Sequence, residues 1–68
     1  MQEFDIVELT QEVKSSLNQE IIFEVGTRGI IVFIHAGEQD FEVELFDKQT
    51  RQTVGVETIH ISKLKKIN

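Results

Sequence analysis

Residues 41–47 constrain the fold most, because they read Phe-Glu-Val-Glu-Leu-Phe-Asp, an apolar and acidic alternation that closes on an acidic turn residue. Successive side chains of a β-strand point to opposite faces of the sheet. The segment therefore predicts a half-buried strand. Phe41, Val43 and Leu45 are expected on the core side, and Glu42 and Glu44 on the other side.

A second β signal lies before this strand, where a glycine-marked turn leads into an apolar run. Gly26 and Gly29 bracket two residues, and this spacing favours a turn in which one glycine takes a positive φ. Residues 30–35 are almost continuously apolar, which is typical of a strand that is buried on both faces or that forms the central strand of a barrel. The polar segments 36–39 and 47–52 predict hairpin turns on either side of the alternating strand.

The two ends of the chain complete the predicted sheet. Residues 4–9 form a predicted first strand whose apolar pattern shifts by one position, which indicates a bulge or a bend. Residues 54–56 begin a later strand with a kink at Gly55, and Glu57 is expected to point outward. Residues 60–64 predict one 3₁₀ turn before a last short strand.

Segment 10–24 is ambiguous. Val13, Leu17 and Ile21 recur every four residues, but no capping box follows the threonine that opens the segment. Its serines and asparagine are poor helix-interior residues. We predict a long, partly ordered loop with at most one helical turn, whose Leu17, Ile21 and Ile22 pack toward the core. Loops of this length in small domains are often functional.

Taken together, these elements predict an all-β fold. The arrangement expected is a small five-stranded SH3-like barrel with a long first loop and a short 3₁₀ turn near the C-terminus. A chain of 68 residues suits one domain, which is expected to span residues 1–68.

The chain also resembles a family of small uncharacterised bacterial proteins with an SH3-like barrel, a domain of unknown function common in cyanobacteria. The segments that carry the resemblance are 5–9, 26–32 and 41–47, together with Leu64. The resemblance implies the barrel fold and no established catalytic or binding residues. Proteins of this kind are often encoded near toxin–antitoxin or other interaction cassettes, which implies a partner-binding role.

Composition indicates where the protein works. The sequence has no Cys, which excludes a disulfide, a thiolate metal site or a cysteine nucleophile. No apolar run reaches the roughly 20 residues that span a bilayer, and the acidic start lacks the features of a signal peptide. We therefore expect a cytoplasmic protein without membrane association.

The net charge is −5, and the charged residues are unevenly distributed along the chain. Acids dominate residues 1–47, whereas residues 48–68 hold five basic residues and one acid. The overall sign disfavours phosphate-backbone binding. The alternative function is nevertheless a nucleic-acid or ribosome-associated small barrel, and its candidate residues are Arg28, Lys48, Arg51, Lys63, Lys65 and Lys66.

Candidate catalytic and metal-binding groups are sparse. His35 and His60 are the only histidines, whereas zinc sites use three or four protein ligands. His60 and Ser62 are two residues apart, but no nucleophile-elbow motif accompanies them. A domain this small is also expected to lack the usual ligand pocket of roughly 300 Å³ or more. We predict no enzyme activity, no metal, no cofactor and no small-molecule substrate.

The aromatic residues narrow the kinds of binding module. The chain has five Phe but no Trp or Tyr, which disfavours a proline-motif groove and a methyl-lysine cage. The phenylalanines occupy apolar-patterned positions and are expected in the core. Phe33 is the exception, because it lies out of phase with Val32 and Ile34 and is expected to be exposed.

The leading hypothesis is a non-enzymatic protein-interaction module, of the adaptor or antitoxin/inhibitor type. Its expected partner is another protein or a second copy of itself. The expected contact residues are Phe33, Glu42 and Glu44, with loop 10–24 as a further contact element. Glu42 and Glu44 would attract a basic partner surface.

Overall fold

The computed structural model describes residues 1–67. Within them the chain forms short strands and a single 3₁₀ turn, Ile61–Lys63, in an all-β fold. The strands are β1 (Ile6–Leu9), β2 (Val13–Lys14), β3 (Ile22–Phe23), β4 (Arg28–Ile34), β5 (Asp40–Phe46), β6 (Thr53–His60) and β7 (Leu64–Lys66). No helix in this part of the chain is long and apolar enough to cross a membrane.

Five of the strands form one antiparallel sheet in the order β6-β5-β4-β1-β7. The predicted five-stranded sheet and late 3₁₀ turn are therefore present. The outermost strands, β6 and β7, do not pair with each other within residues 1–67. The sheet is open there, without the closure that a barrel requires.

The core lies on one face of this sheet, which we call the inner face. Its most deeply buried side chains alternate along the strands, as predicted for β5. They are Val7, Leu9, Ile31, Phe41, Val43, Leu45 and Ile59. The expectation that the phenylalanines are core residues holds for Phe23 and Phe41. It is wrong for Phe4, which is exposed in a turn and has a φ of 70°.

Segment 10–24 differs from the predicted loop. It contains a two-stranded ribbon in which Val13 pairs with Phe23, and these two side chains enter the core. The expectation that Leu17, Ile21 and Ile22 pack toward the core is wrong, since all three are exposed and Leu17 is 96% exposed. Directly paired residues share a face of a ribbon, so the Val13–Phe23 pair faces inward and the Lys14–Ile22 pair faces outward. Leu17 and Ile21 lie outside the two paired strands, in the segment that connects them.

Glu57 is buried, not outward as predicted, and is only 5% exposed. Because Ile59 pairs with Phe41 and Glu57 pairs with Val43, both lie on the inner face. A register shift between Leu45 and Phe46 leaves Val54 as an extra residue on β6, at the kink expected near Gly55. The sequence pattern had placed Glu57 on the solvent side of this strand. In the structure Glu57 and Ile59 face the core, and Val54 and Val56 are exposed.

The Glu57 carboxylate ties segment 10–24 to the sheet. Its two oxygens accept the Ser16 backbone N–H at 3.0 and 3.2 Å. This bond joins the ribbon's connecting segment to edge strand β6, which pairs with β5 alone among the described strands. An inward-pointing charge on an edge strand also discourages pairing with another chain.

The turns follow the glycine pattern. Gly26 has a φ of 90° and Gly37 a φ of 93°, as the hairpin and turn predictions require. The 3₁₀ turn begins after His60, whose side chain accepts the Ser62 backbone N–H at 3.1 Å. Because β4 and β5 pair antiparallel, with Gly29 opposite Leu45, the start of β4 and the 47–52 turn lie at the same end of the sheet.

Candidate functional site

The outer face of the sheet carries an exposed aromatic residue on its central strand. A register shift between Ile31 and Phe33 leaves Val32 as an extra residue on β4 and sets Phe33 opposite Glu42. Phe33 is 50% exposed, so its predicted exposure is confirmed. A bulge of this kind redirects the following side chain, which explains why Phe33 departs from the inner-face pattern.

Phe33 belongs to a contiguous side-chain network. Its ring meets the His35 ring edge-on, with centroids 5.1 Å apart and an interplanar angle of 80°. The His35 Nε2 and Glu42 Oε2 atoms are 2.6 Å apart, and Thr58 Oγ1 donates to the same carboxylate oxygen at 2.6 Å. Since a carboxylate only accepts hydrogen bonds, it orients both neighbours.

These contacts also act on the charge of Glu42. The hydrogen bond from His35 lowers the pKa of the Glu42 carboxyl below its ordinary value, with further lowering from the Thr58 bond. Desolvation opposes the shift, and the attraction of His35 adds to it. Glu42 is therefore held as a carboxylate beside the exposed Phe33 ring.

Glu44 lies two residues after Glu42 on β5, on the same outer face of the sheet. It pairs with Ile30 on one side and Val56 on the other, and it accepts a hydrogen bond from the Thr53 hydroxyl. Val56 is half exposed. Glu42 and Glu44 thus share the outer face, as the alternation predicted, and each carboxylate accepts a hydrogen bond from a different threonine.

The six basic residues of the nucleic-acid alternative do not form one stripe. Glu8 holds two of them from opposite sides: Arg28 Nε lies 3.3 Å from Oε1, and Lys65 Nζ lies 3.6 Å from Oε2. Lys66 lies 3.7 Å from Asp5. Lys63 lies in the 3₁₀ turn, outside these pairs.

Three of the six converge on a cleft of about 460 Å³. Its lining consists of Ile6, Gly26, Arg28, Phe46, Asp47, Lys48 and Arg51. The expectation that a domain this small lacks such a cleft is wrong, because the space lies outside the core, between the sheet and the 47–52 turn. Pairing of Gly29 with Leu45 brings the start of β4 to the end of β5, and no local pattern in the sequence indicates that pair.

The other candidate chemistry is accounted for by local structure. His60 Nδ1 and Ser62 Oγ lie 2.9 Å apart at the start of the 3₁₀ turn. The buried Ser15 hydroxyl accepts the backbone N–H groups of Leu17 and Asn18 at 3.2 and 3.4 Å, which stabilises a local turn. Within residues 1–67 no three His, Asp or Glu side chains group closely enough to hold a metal ion.

Comparisons with family models, with curated proteins and with solved structures give no match. The resemblance carried by segments 5–9, 26–32 and 41–47 therefore stays a prediction.

Proposed function

We propose that this protein is a non-enzymatic interaction module that binds another protein through the outer face of its sheet. The proposed contact surface consists of Phe33, Glu42, Glu44, Val56 and Thr58, and we call it the Phe33 surface. The expected partner presents an apolar centre with basic residues around it.

The half-exposed Phe33 ring on the central strand is the observation that carries the proposal. An aromatic side chain buries a large area at a low entropic cost, and aromatic residues are enriched among the side chains that dominate binding energy. Phe33 is held by the bulge in β4 and by the His35 ring. The ring is thus positioned before a partner arrives, which reduces the ordering cost of association.

Charge defines the partner's chemistry. The lowered pKa of Glu42 keeps a negative charge next to Phe33, and Glu44 adds a second on the same face. Glu38 and Asp40, both exposed, lie at the same end of the β4–β5 hairpin. A partner with lysine or arginine around an apolar centre complements this surface, and such complementarity raises association rates and selects partners.

A photo-crosslinking amino acid in place of Phe33 tests the proposal in cells. We expect one dominant crosslinked partner, and we expect the same group at the exposed Gln49, at the opposite end of the sheet, not to capture it. In binding assays with that partner, Phe33→Ala is expected to weaken affinity about thirtyfold. This corresponds to a loss of about 2 kcal/mol of binding free energy, as for a dominant interface residue. Phe33→Ala leaves the core intact, so folding is preserved.

Charge reversal provides the second arm of this test. Glu42→Lys combined with Glu44→Lys is expected to weaken binding to the partner. The matched control is Glu3→Lys with Glu12→Lys, which changes the net charge equally at two other exposed acids. Equal loss in both double variants would contradict a local role for the Phe33 surface. A crosslink between two copies of this chain would identify the partner as itself.

The nucleic-acid alternative has less support. Four of its six basic residues already lie within 4 Å of carboxylates, namely Arg28, Lys48, Lys65 and Lys66. It predicts steep loss of nucleic-acid binding with salt and with Lys63→Ala, Lys65→Ala and Lys66→Ala combined. Salt-insensitive binding would exclude it.

The SH3-like barrel is the finer fold assignment that we propose. Its support is the order of the five sheet strands, in which the last strand returns beside the first after a 3₁₀ turn. A cytoplasmic location stays an expectation from the sequence.

A further inference from the structure

We propose that the cleft between the start of β4 and the 47–52 turn binds a small organic phosphate, such as a nucleoside monophosphate. We call it the basic cleft. It lies at the end of the sheet away from the β4–β5 hairpin tip, and the proposal does not depend on the Phe33 surface. Its volume of about 460 Å³ falls within the roughly 300–1,000 Å³ of typical small-molecule sites.

Three cationic side chains line the basic cleft. Arg28 uses Nε in its ion pair with Glu8, which leaves its two terminal nitrogens for a ligand. Lys48 Nζ donates to the Val25 carbonyl at 3.3 Å and lies 3.8 Å from an exposed Glu24 carboxylate, a long and solvated contact.

Arg51 is the cation with the most freedom to bind. Its side chain makes no hydrogen bond or ion pair within residues 1–67, and it is exposed. Its backbone is fixed: the N–H donates to the Asp47 carbonyl at 2.9 Å, and φ is 61°. A guanidinium group matches the oxygen geometry of a phosphate and forms paired charge-assisted hydrogen bonds with it.

Asp47 is the one acid among the lining residues. Its Oδ1 accepts the Gln49 and Thr50 backbone N–H groups at 2.8 and 2.9 Å. These bonds, that of Thr50 first, lower the pKa of the Asp47 carboxyl, so it stays ionised at neutral pH. The carboxylate stabilises its own turn. Arg28 and Lys48 also lie 3.3 and 3.8 Å from the Glu8 and Glu24 carboxylates, so Arg51 is the lining cation without an ion pair among residues 1–67.

The apolar residues of the lining favour binding of an organic phosphate over binding of a free phosphate ion. Ile6 and Phe46 contribute apolar surface beside the three cations. A flat apolar group packed on the Phe46 ring removes that surface from water, and aromatic side chains commonly stack on bases. The cleft therefore fits a phosphate ester that carries a ring.

Amide chemical-shift titration of the ¹⁵N-labelled protein tests the proposal, since the chain has no Trp or Tyr for intrinsic fluorescence. The probes are AMP, adenosine and inorganic phosphate. AMP is expected to give saturable shifts at Gly26, Arg28, Lys48 and Arg51. Adenosine lacks the charge and inorganic phosphate lacks the ring, so both are expected to bind at least about tenfold more weakly.

Arg51→Gln is the decisive variant, because the Arg51 side chain has no ion-pair partner among residues 1–67 that the exchange would disturb. It is expected to weaken AMP binding about tenfold. Lys63→Gln is the matched control, with the same charge change outside the cleft, and is expected to leave the affinity within about twofold. The proposal is overturned if AMP gives no saturable shift in the millimolar range, if adenosine or phosphate binds as tightly, or if Lys63→Gln has the same effect.

Discussion

Replacing Gly29 with alanine tests the contact between β4 and β5 that positions both proposed sites. Gly29 is buried and pairs with Leu45. A Cβ atom at this position would lie 2.5 Å from the Glu44 carbonyl oxygen and 2.8 Å from Val43 Cγ1. Real Cβ contacts essentially never fall under 3.0 Å. Because Glu44 belongs to the middle of the sheet, relief requires the two strands to separate.

The size of the effect follows from two opposing contributions. Overpacking a core lowers the stability of the folded protein by about 1–3 kcal/mol. Alanine also restricts the unfolded chain, which raises the stability of the folded protein by about 0.4–1 kcal/mol. Because the new Cβ would approach a backbone oxygen to 2.5 Å, we expect overpacking near the upper end of that range, about 3 kcal/mol, and a net loss of about 2 kcal/mol. A domain of this length has a total stability of about 3–10 kcal/mol. The melting temperature is therefore expected to fall by roughly 8–16 °C.

Thermal and urea unfolding followed by circular dichroism measure this loss. The control is Gly55→Ala in strand β6, where the new Cβ would lie 3.3 Å from the tip of the Phe23 ring. A ring tip can shift, so we expect a loss below about 1 kcal/mol. The reasoning is refuted if Gly29→Ala is no less stable than Gly55→Ala, since both exchanges have the same effect on chain entropy.

Three further predictions follow from the described contacts. Because the folded pKa of Glu42 lies below its ordinary 4.5, its stabilisation is present above that pH and is lost as pH falls through the folded value. Glu42→Gln is therefore expected to flatten the loss of stability below pH 4.5 in urea unfolding across pH. Leu45→Ala is expected to destabilise by about 2–5 kcal/mol, whereas Leu17→Ala changes stability by less than about 0.5 kcal/mol, as thermal melts will measure. Glu57→Ala removes the acceptor of the Ser16 N–H, so amide hydrogen exchange in segment 10–24 is expected to accelerate, and unchanged rates would contradict the role assigned to that bond.

Parts of the proposed sites were predictable because they depend on local alternation. Glu42 and Glu44 follow from the pattern of β5. The exposure of Phe33 was predicted from its phase against Val32 and Ile34, but in the structure it depends on the bulge at Val32. The His35–Glu42 contact was not predicted, because it depends on the bulge that shifts the β4–β5 register. The basic cleft was missed for a similar reason, since Arg28 and Arg51 are brought together by strand pairing.

The sequence by itself determined the all-β class, the inward side of β5, the turn at Gly26 and the late 3₁₀ turn. These features depend on side-chain alternation and backbone preferences, which act over a few residues. Only the tertiary structure decided that Val13 enters the core while Leu17 does not, and that Glu57 faces inward. Those outcomes depend on which strands pair and where an extra residue shifts the register, and pairing energy is set between residues far apart in the chain.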